Sequence, residues 1–366
     1  MDSDVILVIV VATALAFDFT NGFHDTANAV ATSISTRAMP PRVAVTLAAF
    51  LNFAGAFISL EVAATVAKGI VEQDLITTTI VFSGLVGAIA WNLATWYFGL
   101  PSSSSHALIG GVVGAAFAAE GADAVKGDGL MEKVLVPALI APVLAFAVAA
   151  VAIVIAYRIV GRLRPGPVNR GYRLGQIVSA SLFSLSHGTN DAQKTMGIIA
   201  LALVAHGDLS AGADPPTWVV VSAASAIALG TYVGGWRIIR TMGSRIIKMD
   251  PAQGFVAQGA GASVILAASH FGYPLSTTHV ASGGVMGAGA GKSLSAVRWG
   301  VAGNIVAAWV MTLPAAAAVG AATFGVTRIF GTGALGPLVV AIATVGLLAA
   351  IFGRRLSQGR PLAAEG

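Results

Sequence analysis

The chain has 366 residues, of which 56% are hydrophobic and 10% are charged. This composition leaves too little polar surface to coat a soluble globule of that size, so we expect the chain in a bilayer. The excess of 21 basic over 16 acidic residues does not indicate nucleic-acid binding, because the Lys and Arg residues lie in loops between apolar stretches. Cysteine is absent, which excludes disulfides and thiolate metal sites.

About ten apolar stretches follow one another along the chain, each close to the roughly 20 residues that a spanning helix needs. The sequence therefore predicts an all-α, polytopic membrane protein of about 10–12 transmembrane helices. The first stretch, residues 5–17, follows two aspartates rather than a basic segment, which indicates a retained helix and not a signal peptide. Basic residues concentrate in alternate loops. The positive-inside rule then places the N-terminus outside, and the central loop and C-terminus inside.

An internal duplication is the most informative feature of the sequence. Residues 101–114, PSSSSHALIGGVVG, align without gaps with residues 274–287, PLSTTHVASGGVMG, and seven of the fourteen positions are identical. A weaker match joins residues 17–28, FDFTNGFHDTAN, to residues 183–194, FSLSHGTNDAQK. The matches occur in the same order in each half. If each half crosses the membrane an odd number of times, the halves form an inverted-topology repeat, which is typical of secondary transporters.

The duplication also predicts the domain organisation. Residues 1–157 form the first inverted repeat, and residues 174–330 form the second. Between them, residues 158–173 form a basic cytoplasmic linker, and residues 331–366 add a C-terminal transmembrane helix with a basic tail. Broken helices and re-entrant hairpins are expected within each repeat, since both halves have segments rich in Pro, Gly, Ser and Thr.

Two acidic residues, Asp25 and Asp191, fall at equivalent repeat positions inside apolar stretches. A carboxylate at membrane depth is costly, so we predict that this pair binds the coupling cation or a proton, and that one of them accepts a hydrogen bond from protonated substrate. The alternative is a structural carboxylate held by nearby hydroxyl and amide groups. Gly22 and Gly188 would let each helix break and free backbone groups for an ion.

Two hydroxyl-rich segments, Ser102–Ser105 and Ser276–Thr278, each follow a proline-containing turn and precede a histidine. We expect each to cap a new half-helix and to present hydroxyl and amide groups to an anion such as phosphate. The alternative is small-residue packing between helices. The histidines that follow, His106 and His279, are interpreted as ligands, proton relays, groups that orient the hydroxyls, or packing residues.

One basic residue, Lys194, stands inside the second acidic motif, close to Asp191. Three roles are open for it: it attracts phosphate, it pairs with Asp18, or it extends to the cytoplasmic edge of the membrane. His24 and His187 do not occupy equivalent repeat positions, so they are not paired as a metal site.

Several motifs resemble the inorganic phosphate transporter family, Pit in bacteria and PiT in animals. They are GFHDTANAVAT at 22–32, SHGTNDAQKTMGIIA at 186–200, and the pair PSSSSH and PLSTTH. The resemblance spans the chain and implies phosphate symport, with protons and often as a neutral metal–phosphate complex in bacterial members, or with sodium in many others. Animal members carry Asn in place of His24, and the FHDTANAVAT version found here is similar to the bacterial proton-coupled branch. Animal members also carry Glu in place of Asn52 and Gln258, so the coupling role of those glutamates is not transferred to this chain.

The residues and the resemblance together give three groups of candidates. The predicted phosphate ligands are Asp25, Thr26, Asn28, Ser104, Ser105, Asn190, Asp191, Thr277 and Thr278. The predicted coupling-cation ligands are Asp25, Asp191, Asn21, Asn190, Asn52 and Gln258. The candidates for a proton relay are His106, His279 and His24. No resident metal is expected.

The function expected is secondary active import of inorganic phosphate by cation symport, through alternating access, with protons favoured. A sodium-coupled phosphate symporter and a sulfate permease of the same family are the alternatives. Phosphate is favoured because its monoprotonated form offers an O–H donor to a carboxylate, which sulfate lacks. An enzyme is not expected, since no serine nucleophile elbow occurs, and a channel would not need paired carboxylates in an inverted repeat.

The expected partners are inorganic phosphate and membrane lipids, without nucleic acid, and a homo-oligomer is left open. No cofactor is expected beyond the co-transported H+ or Na+, with a divalent metal carried alongside phosphate as a further option. The localisation predicted is a multi-pass protein of the bacterial cytoplasmic membrane.

Overall fold

The computed structural model describes residues 2–357, and nearly all of them are helical. Within that range the only β-type pairing is a single bridge between Val71 and Val125. The all-α, polytopic fold predicted from composition is confirmed. The helices, in chain order, are α1 Asp2–Ser35, α2 Pro41–Gly55, α3 Glu61–Lys68, α4 Thr78–Phe98, α5 Ser104–Glu120, α6 Gly127–Leu130, α7 Val136–Val160, α8 Pro165–His206, α9 Thr217–Val233, α10 Trp236–Arg240, α11 Pro251–His270, α12 Thr277–Lys292, α13 Trp299–Ile329 and α14 Leu335–Ser357.

The two halves place their helices in the same order and pack them in the same way. Gly114 of α5 lies against the backbone of Ala317 in α13, and the equivalent Gly287 of α12 lies against the backbone of Phe146 in α7. The helical hairpin α4–α5 of the first half therefore rests on the last long helix of the second half, and α11–α12 rests on the last long helix of the first. The opposite orientation of the halves in a membrane stays a prediction.

The two helices that carry the acidic motifs, α1 and α8, are continuous through Gly22 and Gly188. The expectation that these glycines break the helices is therefore wrong. A β-carbon at Gly22 would collide with the carbonyl oxygen of Ile227 in α9, and one at Gly188 with that of Asn52 in α2. Glycine is used here for close helix packing. A break occurs instead between α9 and α10, where the axis bends by 60°.

Five described helices are each long and apolar enough to cross a membrane, and a sixth is added if the bent segment that contains α9 and α10 counts as one span. The most apolar windows of α7 and α13 are each only 28% buried. Side chains such as Leu139 and Val310 point outward from them, 73% and 69% exposed. Such faces suit contact with hydrocarbon. The number of crossings and the side on which each terminus lies stay predictions.

The connection between the halves is shorter than expected. Helix α7 ends at Val160 and α8 begins at Pro165, so most of the predicted linker 158–173 is helical. Proline is favoured in the first turn of a helix because its fixed φ suits that position, and it lacks an N–H that would go unpaired there. The apolar part of the predicted C-terminal segment forms α14, and residues 358–366 of the basic tail lie outside the described residues.

Two apolar clusters, each containing residues of both halves, leave a polar layer between them. On α1, Phe17 belongs to one cluster and Ala27 to the other. On α8, Phe183 belongs to the second cluster and Ala192 to the first. Most residues between these points are polar, and the start of α5 and the start of α12 reach the same layer. The fold thus encloses the acidic motifs at the middle of the helices that carry them.

Candidate functional site

Asp25 on α1 and Asp191 on α8 come together around the first residue of α12. Their side chains are 2% and 0% exposed. The hydroxyl of Thr277 lies 3.1 Å from Oδ2 of Asp191 and 3.4 Å from Oδ2 of Asp25, within hydrogen-bonding reach of both. A hydroxyl has only one proton to donate, so it can serve one carboxylate at a time. The two acidic motifs therefore contribute to one site.

Helices α5 and α12 begin at this site, and each is capped by a serine. The side chain of Ser103 accepts a hydrogen bond of 3.1 Å from the backbone N–H of His106. The side chain of Ser276 accepts one of 3.3 Å from the N–H of His279. The prediction that these segments cap new helices is confirmed. A helix N-terminus presents unpaired N–H groups and the positive end of the helix dipole, which favours an anion nearby.

Asp25 is surrounded by donors from three helices. Nδ1 of His24 donates to Oδ1 at 2.6 Å, Ser104 donates to the same oxygen at 3.2 Å, and Thr278 at 3.3 Å. Asn28, one turn further along α1, donates to the Thr278 hydroxyl at 2.9 Å. These contacts tie α1 to the starts of both α5 and α12.

Asp191 is paired with a buried ammonium group. Nζ of Lys194 lies 2.5 Å from Oδ1 of Asp191, and it also donates to the Ser105 hydroxyl at 2.5 Å and to the Leu275 carbonyl at 2.7 Å. The side chain of Lys194 is 1% exposed. It therefore does not extend to the membrane edge, and its ion pair is with Asp191 rather than Asp18. Nε2 of His187 lies 3.2 Å from Oδ2 of Asp191.

The site also contains a group of potential metal ligands. One ligand atom each from Asp25, His187 and Asp191 can be chosen so that all of them lie within 4.8 Å of one another, and all three residues are buried. Carboxylate oxygens and an imidazole nitrogen are donors that Mg²⁺, Mn²⁺ or Zn²⁺ accepts, in order of increasing preference for nitrogen. The three residues together offer the donor types that such a divalent cation binds.

Two of the predicted phosphate ligands, Thr26 and Asn190, make no hydrogen bond to the carboxylates among the described residues. The hydroxyl of Thr26 donates to the backbone carbonyls of Gly22 and Thr231, and thereby joins α1 to α9. The amide of Asn190 donates to the Ser269 hydroxyl at 2.8 Å and to the Tyr273 carbonyl, and thereby fixes the end of α11. The donor groups of both residues thus hold neighbouring segments in place, whereas Oδ1 of Asn190 is buried with no hydrogen-bond partner in the described part of the chain.

The predicted cation ligands other than the carboxylates are also displaced from the centre. Oδ1 of Asn52 accepts from Nδ1 of His187 at 3.2 Å, so Asn52 orients a histidine that reaches Asp191. The amide of Gln258 donates to the Ala29 carbonyl at 2.6 Å. Oδ1 of Asn21 is buried and has no hydrogen-bond partner among the described residues. Within the described range 2–357, none of these three amides is hydrogen-bonded directly to Asp25 or Asp191.

Of the three proton-relay candidates, only His24 contacts a carboxylate. The rings of His106 and His279 lie 4.9 Å apart, and His279 stacks on Trp309 at 4.1 Å. They adjoin a cavity of about 690 Å³ whose other lining residues, from the 131–135 segment, α7, α12 and α13, are apolar. In the described part of the chain neither ring is hydrogen-bonded to Asp25 or Asp191.

His187 is the contributor that the sequence reasoning left out of its candidates. The signal was present, because residues four apart on a helix share a face, and His187 precedes Asp191 by four positions. Lys194 was noticed, but its burial could not be inferred without knowing that the start of α5 and the end of the 271–276 turn supply two further acceptors.

The fold and the site define a class, a multi-pass helical membrane transporter with two half-chains around a shared polar centre. Comparison with known proteins gives the family: residues 21–320 match the model of the phosphate transporter family, and the chain belongs to that family. It is therefore a transporter and not an enzyme, and the resemblance seen in its motifs is confirmed.

Individual relatives agree with this placement. The chain is 57% identical over 327 residues to a Mycobacterium bovis protein named "Probable low-affinity inorganic phosphate transporter", covering 89% of this chain and 78% of that one. It is 50% identical over 317 residues to a Rhizobium meliloti protein of the same name, covering 86% and 95%. A solved structure titled "The sodium-dependent phosphate transporter" superimposes with a TM-score of 0.80 at 25% identity, covering 88% of this chain and 99% of that one.

Proposed function

We propose that this protein imports inorganic phosphate in symport with cations, with protons as the favoured coupling ion, by alternating access. The observation that carries the proposal is the meeting of Asp25 and Asp191, both buried, at the capped starts of α5 and α12. Carboxylates bind cations, whereas helix N-termini and hydroxyl groups bind an anion. Their combination in one enclosed site suits a transporter that moves both together.

The charge balance of the site supports coupling. Two carboxylates and the Lys194 ammonium sum to a net charge of −1 when the imidazoles are neutral. A phosphate anion added to that site would be repelled, because charges interact strongly where water is scarce. At least one further positive charge must therefore enter with the anion. A proton or another cation that binds beside Asp25 or Asp191 would supply that charge.

The donors of the site support phosphate over sulfate. Ser104, Thr277 and Thr278 offer hydroxyls around the carboxylates, and the starts of α5 and α12 offer backbone amides. A monoprotonated phosphate can accept from these groups and return one hydrogen bond to a carboxylate. Sulfate at neutral pH has no proton to return, so one of its oxygens would face a carboxylate oxygen with no hydrogen between them, which is a large penalty in a buried site.

A divalent metal can travel with phosphate as a neutral complex. The group Asp25, His187 and Asp191 would bind the metal of such a complex while the hydroxyls and amides bind its phosphate. The metal supplies charge neutralisation in this scheme, and the protein supplies the ligands. Co-transport of a metal would thus meet the same charge requirement as protons.

Uptake into liposomes tests the proposal. The purified protein is reconstituted, and radiolabelled phosphate uptake is measured under an imposed proton gradient, under an imposed sodium gradient, and with excess sulfate. Uptake driven by the proton gradient and resistant to sulfate is expected. Uptake driven only by the sodium gradient would mean that sodium, and not the proton, is the coupling ion. Uptake abolished by sulfate would indicate a sulfate permease.

A further inference from the structure

Lys194 stands where the first half of the chain has a neutral residue. In the alignment of residues 17–28 with 183–194, Lys194 corresponds to Asn28, three positions after the respective aspartate. The two motifs share the aspartate pair Asp25 and Asp191, and Lys194 adds a positive charge to the second motif. Asp18 of the first motif corresponds to the neutral Ser184. No other pair within that alignment replaces a neutral residue by a lysine or arginine.

The structure preserves the equivalence of these two side chains. Nζ of Lys194 donates to the hydroxyl of Ser105 at 2.5 Å, and Nδ2 of Asn28 donates to the hydroxyl of Thr278 at 2.9 Å. Ser105 and Thr278 are themselves equivalent in the alignment of residues 101–114 with 274–287. Each half thus makes the same contact, with an ammonium in one half and an amide in the other.

The surroundings of the ammonium resemble a binding site for a hard cation. Its three N–H groups meet a carboxylate oxygen of Asp191, the hydroxyl oxygen of Ser105 and the carbonyl oxygen of Leu275, at 2.5, 2.5 and 2.7 Å. Hard cations are bound in proteins by such oxygens, and in transporters with interrupted helices unwound carbonyls coordinate sodium. With Nζ in place, these three oxygens are already bonded to a positive charge.

We infer that Lys194 is a built-in cation which occupies the position of a sodium ion in the second half of the site and makes phosphate transport independent of sodium. The inference rests on the proposed function and adds the residue that selects the coupling ion. A fixed ammonium cannot leave with the substrate, so it does not contribute to coupling. The coupling charge must then be carried by ions that bind elsewhere in the site.

Replacing Lys194 with the residue of the first half tests the inference. In Lys194→Asn liposomes, phosphate uptake in choline medium should fall at least about tenfold, and sodium should restore it by a similar factor. Wild-type uptake should change less than about twofold between the two media. Lys68→Asn, which removes an exposed lysine on α3, serves as the matched control and should behave as wild type.

Other outcomes would overturn the inference. If Lys194→Asn loses uptake equally in sodium and choline, Lys194 binds phosphate directly or only holds the fold, and the built-in cation is wrong. Proton-driven uptake by the wild-type protein in the same preparation shows that the proposed function stands in that case. Absence of wild-type phosphate uptake would instead overturn the proposed function.

If a variant is inactive in transport, sodium binding can still be measured. Thermal unfolding in detergent is recorded with sodium or choline for wild type, Lys194→Asn and Lys194→Gln. The inference expects sodium to raise the midpoint of either neutral variant and to leave that of the wild type unchanged. A sodium-dependent rise in the wild type alone, or no rise in any of the three, contradicts it. If neither variant can be purified, sodium stimulation of wild-type uptake by more than about tenfold would still exclude the inference.

Discussion

Asp25 and Asp191 are equivalent in the repeat, yet their partners differ in charge. Asp25 contacts a histidine and hydroxyls, whereas Asp191 contacts a lysine, a histidine and the hydroxyl of Thr277. Among the described residues, Asp25 thus has no permanently charged neighbour within hydrogen-bonding distance. This difference lets substitutions separate their contributions to transport from their contributions to stability.

We expect Asp25→Asn and Asp191→Asn each to lower phosphate uptake at least about tenfold, because Asp25 lies where the proposed coupling charge would bind and Asp191 holds the Lys194 ammonium in place. Their effects on stability should differ. Asp191→Asn leaves the Lys194 ammonium unpaired, which costs about 3–5 kcal/mol. Asp25→Asn removes hydrogen bonds from groups that can be neutral, which costs about 1–3 kcal/mol. Liposome uptake and denaturant unfolding measure the two effects.

The control for this pair is Asp123→Asn, at an exposed carboxylate in the short segment that follows α5. It should leave uptake and stability within experimental error of the wild type. Equal loss of stability in Asp25→Asn and Asp191→Asn would contradict the assignment of the buried ion pair to Asp191.

Thr277 lies between the two carboxylates, and its hydroxyl is the group that we expect to matter. Thr277→Val keeps the shape of the side chain but removes its donor, and should lower uptake at least about tenfold. Thr277→Ser retains the hydroxyl and should retain most of the uptake. Initial uptake rates over a range of phosphate concentrations check this. A large loss in the serine variant as well would mean that the methyl group, and so packing, is what the site requires.

Many residues of this site could be predicted from the sequence. Those whose role could not be predicted share a physical reason. The repeat identified Asp25, Asp191 and the hydroxyls around them, because equivalent polar residues in apolar stretches are costly unless used. Thr26, Asn190 and Gln258 are equally polar and buried, yet their donor groups bond to backbone carbonyls of neighbouring segments. Which partner a buried amide or hydroxyl finds depends on helix packing that the sequence does not express.

At the level of helices, glycine positions decide how closely α1 and α8 approach their neighbours. The glycines of the acidic motifs signalled an interruption in the sequence, but they are sites of backbone contact in continuous helices. Gly55 of α2 lies against Leu185 of α8, and the equivalent contact joins Gly230 of α9 to Phe19 of α1. A sequence cannot distinguish a glycine that breaks a helix from one that lets another helix approach.

A pair of glycine substitutions tests this reading. Gly22→Ala would place a methyl group against the backbone of α9 and should destabilise the protein by about 1–3 kcal/mol. Gly259→Ala, in α11, has no neighbouring atom within 4 Å of the new carbon and should stabilise by about 0.5–1 kcal/mol, since alanine is the better helix former. Unfolding in detergent compares them. Stabilisation by Gly22→Ala would show that α1 and α9 are further apart than described.

At the scale of the whole molecule, the helical hairpin of each half packs on a long helix of the other half and also reaches the site. The starts of α5 and α12 place hydroxyls next to the carboxylates. Along their length, α4–α5 packs on α13 and α11–α12 packs on α7. A movement of one hairpin relative to its supporting helix would therefore change access to the site. Alternating access requires such a movement, and the repeat provides one hairpin from each half.

The most direct test of coupled phosphate transport is accumulation against a concentration gradient. Liposomes with the reconstituted protein are placed in acidic medium with labelled phosphate, and the lumenal concentration at steady state is compared with that outside. We predict accumulation above the external concentration, abolished by a proton ionophore and absent in Asp25→Asn. A steady state at equal concentrations, with phosphate entering as fast with the ionophore as without it, would contradict coupling and make the protein a passive pathway.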